Sequence, residues 1–528
     1  MDFELSTRQS LLLAFFVVLV VGYLKNPSLP SRNRSPPGPK GYPFFGHVFD
    51  IPKNHQWLKF WEWNKIYGDI VYINVLGTPN LILGSLEAAT DLLETRGNIY
   101  SDRPRAVMAG ELVGWDRGLG YSPGPPSTRF RAFRRLFHTF IGPRALSSNS
   151  VKHAQELCRL RLLHRISKWS RSTDKLGSNL ANIVRECTSS FILLLSYGYD
   201  TERRVEREID EGELGIIKDP LDLVQIVEDA MLGFARASEP GAFWADNFPC
   251  LKYIPVWFPG ASFHRVAAQM RTDLERLYDV PLNYVKQCMA NGKYTPSFVS
   301  TYFEDMAPGY RGDAEVMTEA EDEELIKAAA ASLYSGGAET TPSSMMSFIL
   351  AMTLYPDVQQ RAQEELDRVI GSSDRLPTWD DRDRLPYLEA IVKEVWRWGV
   401  SVPLGLAHVA REDDVYRGYT IKKGTVVWAN IWSILHDPIM FPEPSTFSPD
   451  RYLGSDDHSK LASDAVMVAF GFGRRICPGL HLAESSLFSA IAGILTVFRI
   501  EKARDLHSDN FHAKFDHGRR SRRKYSAS

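Results

Sequence analysis

Apolar and polar positions change their rhythm several times along this chain. From Leu11 to Leu24 the run LLLAFFVVLVVGYL carries no charge; Asp2, Glu4 and Arg8 precede it and Lys25, Arg32 and Arg34 follow. That is short for a bilayer span. However, no small-x-small cleavage site follows it, and the positive charges lie on its C-terminal flank, so the pattern predicts a retained membrane anchor over residues 1–26 with the remainder facing the cytosol. Residues 27–46 are rich in proline, which fixes backbone angles and removes donors, and are expected to form a stiff connector. The sequon Asn33-Arg34-Ser35 in this connector reports orientation, because sugar on Asn33 would place it in the lumen.

Beyond the connector, GDIVYINVLGTPNLILGS alternates apolar and polar residues around Gly-Thr-Pro, as a hairpin would. Helical spacing then dominates, over Ser150 to Leu176, Asp322 to Tyr355 and Pro356 to Ile370, the last opening on Pro and Asp. A second strand-rich patch, DDVYRGYTIKKGTVVWAN, has turns at Arg417-Gly418 and Lys423-Gly424. The pattern predicts a mainly α fold with small β-sheets, in one catalytic domain over residues 47–504. The end of the chain, HAKFDHGRRSRRKYSAS, is basic and lacks alternation, so residues 505–528 are expected to be a tail.

Composition adds limits. With 528 residues, 44% of them hydrophobic, the chain can bury a large core. Lys+Arg 62 against Asp+Glu 64 leaves a net charge of −2, which supplies no global field for nucleic acid. Five cysteines, Cys158, Cys187, Cys250, Cys288 and Cys477, are scattered with no C-x-x-C pair, as suits a reducing compartment.

One cysteine stands in a demanding setting. FGFGRRICPG, residues 470–479, places Cys477 after a glycine-rich turn and before an apolar helix. A thiolate is a good soft ligand when its charge is stabilised, and the free N–H groups at a helix start do this. Gly471 and Gly473 let the backbone turn beneath a flat cofactor, and Arg475 could reach a carboxylate on it. Upstream, EVWR sets Glu394 and Arg397 one turn apart. SGGAETTPSS puts Gly336 and Gly337 inside a helical stretch, where they are expected to interrupt it, followed by Glu339 and Thr340, whose hydroxyl can bond back to a carbonyl and open a groove.

Phe470, Gly473, Arg475, Cys477 and Gly479 match F-x-x-G-x-R-x-C-x-G, and the chain from about Pro36 to Phe498 resembles the cytochrome P-450 superfamily, in particular its microsomal fungal members of secondary metabolism. The resemblance implies the triangular helical prism of that fold around a buried haem b, with Cys477 as axial iron ligand. It implies that Glu394 and Arg397 are the E-x-x-R pair, completed by Arg451 of FSPDRY as structural support for the cysteine loop. Glu339 and Thr340 would be the acid and alcohol that relay protons to the oxygen chemistry at the iron. His408, at the start of a strand, and Arg134 of RFRAFRR would bind haem propionates with Arg475. Here the chain departs from the family: Phe130 stands where tryptophan is usual, and SPGPPST lengthens the preceding turn.

The implied reaction is insertion of one oxygen atom from O2 into an apolar small molecule, a terpenoid, polyketide, alkaloid or xenobiotic, at the endoplasmic reticulum membrane. No flavin-like segment or dinucleotide fingerprint stands in the chain, so electrons would come from NADPH through a separate cytochrome P-450 reductase, with cytochrome b5 as an accessory donor. Arg131, Arg134, Arg135 and Arg474 would give the partner a basic docking face. The aromatic stretch FWADNFPCLKYIPVWFPG, residues 243–260, reads as an apolar surface loop that would cover the substrate channel and touch lipid. Three rivals are weighed: a haem-thiolate isomerase or dehydratase that needs no reductase, against which Glu339 and Thr340 stand; a serine hydrolase, from the G-x-S-x-G of GYSPG at Gly120 to Gly124; and a non-catalytic membrane scaffold.

Overall fold

A computed structural model describes residues 35–124, 127–171, 180–202, 221, 223–239, 241–305, 319–371, 375–454, 456–502 and 513–516. The expected anchor and the start of the connector lie outside the described residues. The stretch expected as one catalytic domain comprises two compact units: one gathers residues up to Pro104 with Pro403–Ile434 and Gly471–Arg475, the other Arg105–Val402, Leu435–Phe470 and the chain from Ile476 onward.

The first unit begins with helix α1, Gln56–Tyr67, followed by β1, Ile70–Val75, and β2, Thr78–Leu83. β1 and β2 form the expected antiparallel hairpin, with Val71 opposite Ile82 and Val75 opposite Thr78. The turn falls on Leu76-Gly77 rather than on Gly-Thr-Pro, because a two-residue hairpin turn needs left-handed backbone at both positions and these have φ 49° and 86°. Four short strands follow later in the chain: β3, His408–Val409; β4, Asp414–Tyr416; β5, Tyr419–Ile421; and β6, Val426–Ala429. The main sheet has the order β1-β2-β6-β3, with β2 and β6 parallel and His408 of β3 opposite Val427 of β6. β4 and β5 pair separately around Arg417-Gly418, both left-handed, as the sequence predicts. Phe60 and Trp63 of α1 pack on Val71, Ile73 and Ile82 to form the core under the sheet.

The second unit is helical. Its principal helices are α2, Thr128–Ile141; α3, Asn149–Arg171; α4, Leu180–Tyr197; α5, Leu223–Ser238; α6, Phe263–Ala290; α7, Glu319–Leu354; α8, Pro356–Ile370; α9, Pro386–Trp398; and α10, Leu480–Val497. α8 has the predicted bounds: Pro356 opens it, Asp357 lies in the positive first turn, Arg368 in the last, and Gly371 at φ 66° ends it. In α2 the apolar stripe Phe130, Phe133, Phe137 and Ile141 is buried, and Ser127 caps the helix by accepting from the Phe130 N–H (3.4 Å). The long α7 contributes to both main clusters of buried side chains, with Leu325, Ile326 and Tyr334 in one and Phe348 and Met352 in the other.

The expected interruption of α7 at Gly336 and Gly337 does not occur. The helix runs through both, and through Pro342. Packing of this helix outweighs about 1 kcal/mol of propensity lost at each glycine. Among the described residues α10 alone is long and apolar enough to cross a membrane, and most of it is buried in the protein. At the end of the described chain β7, Arg499–Lys502, pairs antiparallel with β8, Ala513–Asp516, so part of the stretch expected as a basic tail is a strand.

Candidate functional site

The Cys477 loop is built by backbone bonds before any side chain acts. The Cys477 N–H donates to the Phe470 carbonyl (2.8 Å), closing the turn, and the Gly479 N–H donates to the Cys477 sulfur as α10 begins. Arg134 on α2 reaches the same loop, its Nη1 donating to the Ile476 carbonyl (2.7 Å). Burial nevertheless pushes the thiol above its ordinary pKa, against the lowering by Gly479 and Arg134. The helix start therefore does not by itself make Cys477 a thiolate; ligation would have to displace the proton.

Glu394 and Arg397 on α9 are wholly buried, unlike an ordinary surface ion pair. Arg397 grips the carboxylate with two bonds of 2.8 Å and spends its remaining donors on the carbonyls of Leu435, Pro444 and Thr446. Glu394 also accepts from the Ser448 N–H (2.8 Å) and the Tyr452 hydroxyl (3.0 Å), and Arg451 Nε stands 3.4 Å away. A buried ion pair is tolerable when every remaining donor and acceptor is satisfied, as here. The same helix touches the cysteine loop: Trp396 packs edge-to-face on Phe470 with ring centres 4.8 Å apart.

On α7 the Thr340 hydroxyl donates to the Gly336 carbonyl (2.7 Å), the back-bond expected of a threonine at this spacing. The Glu339 carboxylate is more than half exposed and lies 3.5 Å from Arg185 Nε on α4. Arg185 gave no signal in the sequence, since the pair forms between helices far apart in the chain. Tyr452 was equally silent as a partner of Glu394.

In the first unit His408 and Arg475 are both buried and both fixed by one segment. His408 Nδ1 donates to the Tyr100 carbonyl (2.6 Å), and Arg475 Nε donates to the Ser101 carbonyl (2.8 Å). Burial, with the cations Arg103 and Arg475 nearby, holds the His408 ring down to a pKa of about 3, so it is neutral. Gly473 has φ 51°, and a Cβ there would lie 2.5 Å from the Leu93 carbonyl oxygen, so only glycine fits.

Within the second unit, Cys477 and Arg134 suit an anionic, metal-bearing group. Cys477 is exposed as a residue although many atoms surround it, as a side chain bordering an unfilled space would be. A Cβ on Gly336, in mid-helix, would meet nothing within 4 Å, and one on Gly471 only the Arg475 carbonyl oxygen at 3.9 Å. Arg134 is partly buried with no carboxylate among the described residues to neutralise it, and burial lowers its pKa. A buried cation left uncompensated is costly, and an arriving carboxylate offsets that cost.

Other sequence features fall elsewhere. Ser122 of GYSPG is wholly buried and donates to the Leu119 carbonyl (3.0 Å), with a 3-10 turn rather than a strand ahead of it, so it is no nucleophile elbow. Phe130 is core, 4% exposed, and lacks the indole donor of the tryptophan usual there. Arg131, Arg135 and Arg474 are exposed. The stretch 243–260 does present an apolar surface: Trp244 is 65%, Tyr253 77% and Trp257 81% exposed.

Comparison with known proteins agrees with this chemistry. The model of the cytochrome P450 family matches residues 36–517. Cytochrome P450 monooxygenase 208 of Postia placenta is 41% identical over 472 residues, covering 89% of this chain and 85% of its own. Cytochrome P450 monooxygenase claR of Ampulloclitocybe clavipes is 40% identical over 490 residues, covering 92% of this chain and 84% of its own. Tryptamine 4-monooxygenase of Psilocybe cyanescens is 38% identical over 491 residues, covering 92% and 89%.

Proposed function

The chain belongs to the cytochrome P450 family, whose members bind haem through a cysteine thiolate, and we propose that in this monooxygenase Cys477 is that ligand. The observation that carries the assignment is the exposed Cys477 at the start of α10, its N–H bonded to the Phe470 carbonyl and its sulfur accepting from the Gly479 N–H. Bound there, haem would supply oxygen activation, with the Cys477 sulfur as its electron-donating ligand. The chain's own residues bind, orient and deliver protons. Arg134, His408 and Arg475 hold the cofactor's carboxylates. Glu394, Arg397 and Arg451 support the loop through α9 and its Trp396–Phe470 contact. Thr340 keeps its hydroxyl proton on the Gly336 carbonyl, leaving its oxygen to accept from water or substrate. Glu339, loosely held by Arg185 and open to solvent, passes protons inward.

The substrate is a largely apolar small molecule; the Psilocybe relative is named for tryptamine, which joins an apolar indole to an amine. Electrons come from NADPH through a separate reductase. The apolar stretch 243–260 supports seating on the endoplasmic reticulum membrane, as does the uncharged run of residues 11–24. The test is co-expression with a reductase, the carbon monoxide spectrum of the reduced protein, and a search among apolar compounds for products heavier by one oxygen. Cys477→Ala should abolish both signals. A colourless wild-type protein, or pigment unchanged by that substitution, overturns the assignment.

A further inference from the structure

Residues 99–103 form a strap along the start of β3 in which nearly every polar group is committed. The Arg411 N–H donates to the Ile99 carbonyl (3.0 Å) and the Val409 N–H to the Asp102 carbonyl (2.9 Å), while Arg103 Nη1 donates to the carbonyls of Leu406 (2.7 Å) and Ala407 (2.8 Å). Between these ties, the carbonyls of Tyr100 and Ser101 hold His408 and Arg475. The strap is itself anchored. The wholly buried Tyr100 donates its hydroxyl to Asp414 on β4 (2.9 Å), and Asp414 is gripped by Arg96 at 2.7 and 2.9 Å.

The bond to Tyr100 fixes more than orientation. A backbone carbonyl can only accept, so the hydrogen of the neutral imidazole must sit on Nδ1. Nε2 then carries a lone pair. A lone pair facing a carboxylate oxygen is repulsive; the two bind only when one proton lies between them, on the ring or on the carboxyl. Among the described residues the cations that act on the ring are Arg103 from the strap and Arg475 from the cysteine loop; Asp102 of the strap, bridged to Val409, is paired with Arg411 at 3.6 Å, and β6 places uncharged Val427 opposite His408. Burial first, and the two cations after it, keep the ring neutral, and an anion between the cations removes their share of that bias.

We propose that Tyr100 and Asp414 are positioning residues for the haem carboxylates, and that by fixing the proton of His408 on Nδ1 the strap makes carboxylate binding there take up one proton. The proposal rests on the assignment of His408 and Arg475 to the haem carboxylates. Haem retention then weakens as pH rises, because the ring or carboxyl gives up its shared proton. Protonation of the Cys477 sulfur promotes release as pH falls, the opposite sign, so the two are told apart by the direction of the slope and by its loss in the His408 variants.

The experiment uses pigmented holoprotein and excess apomyoglobin as haem acceptor, following transfer between about pH 7 and pH 10, the range in which a carboxylate-paired imidazolium gives up its proton. The wild-type rate should climb by up to about tenfold per pH unit, the limit for one proton. His408→Gln should speed transfer by about tenfold at neutral pH, the loss of one charge-assisted bond, and flatten the rise. His408→Arg, a permanent donor, should hold haem at neutral pH and also flatten it. Tyr100→Phe, which keeps the carbonyl but loses the Asp414 bond, should speed transfer by about threefold with the slope intact. A flat wild-type profile, a wild-type slope in either His408 variant, or no change in Tyr100→Phe overturns the proposal. Since pigment is present throughout, each of these results leaves the Cys477 assignment standing.

Discussion

At the scale of single residues, burial decides what the sequence motif is worth. The same Glu-x-x-Arg spacing on an exposed helix contributes a few tenths of a kcal/mol, whereas here both side chains are wholly buried. Arg397→Ala should therefore leave a buried carboxylate with only the more distant Arg451 as counter-charge and cost about 3–5 kcal/mol, measured as a lowered thermal midpoint together with loss of haem during purification. A midpoint within a degree or so of wild type would contradict the buried network. Phe130 gives a contrasting case. It is packed in the core, so Phe130→Trp, although it restores the family's usual residue, should destabilise by about 1–3 kcal/mol through overpacking. The side chains with strict geometric roles, Cys477, Arg475, Glu394 and Arg397, could be read from the sequence because their residue types and spacing are unusual together. The Tyr100 and Ser101 carbonyls could not, since any residue supplies a carbonyl. Arg185 escaped for a different reason, its partner Glu339 lying on another helix.

At the scale of elements, short-range rules succeeded where the local signal agreed with the packing. α8 and the β4–β5 hairpin carry their own start, stop and turn residues. They failed at Gly336-Gly337, where α7 stays helical because its flanks are held in two hydrophobic cores. This makes a two-part prediction. Gly336→Ala introduces a methyl that meets nothing within 4 Å, so the helix should gain about 0.5–1 kcal/mol. The same methyl enters the open space beside Thr340, so product formation should fall while stability rises. A variant that lost stability, or gained it with unaltered turnover, would show that this side of α7 borders no reaction space.

At the scale of the whole molecule, two apolar surfaces have different fates. The exposed side chains of 243–260 have no cover among the described residues in the case of Trp257, which stands 81% exposed. In protein lacking residues 1–26, Trp257→Ser combined with Tyr253→Ser should reduce co-sedimentation with lipid vesicles several-fold without shifting the thermal midpoint, as expected for side chains that contact lipid rather than core. Undiminished sedimentation would count against lipid contact by this stretch. α10 is the opposite case: it has the length and hydropathy of a membrane span yet is folded into the interior. Its packing partners, α3, α7, α8 and α9, all precede it in the chain.

The order of those partners has a consequence for biogenesis. Translation delivers α10 last among them, so when this oily segment leaves the ribosome the surfaces that receive it have already been made. Cotranslational docking can then outrun capture by the insertion machinery, which would otherwise treat eighteen such residues as a stop-transfer signal. A permuted gene that encodes this segment ahead of its partners should yield chains threaded through the bilayer at that point, detectable by protease protection in microsomes.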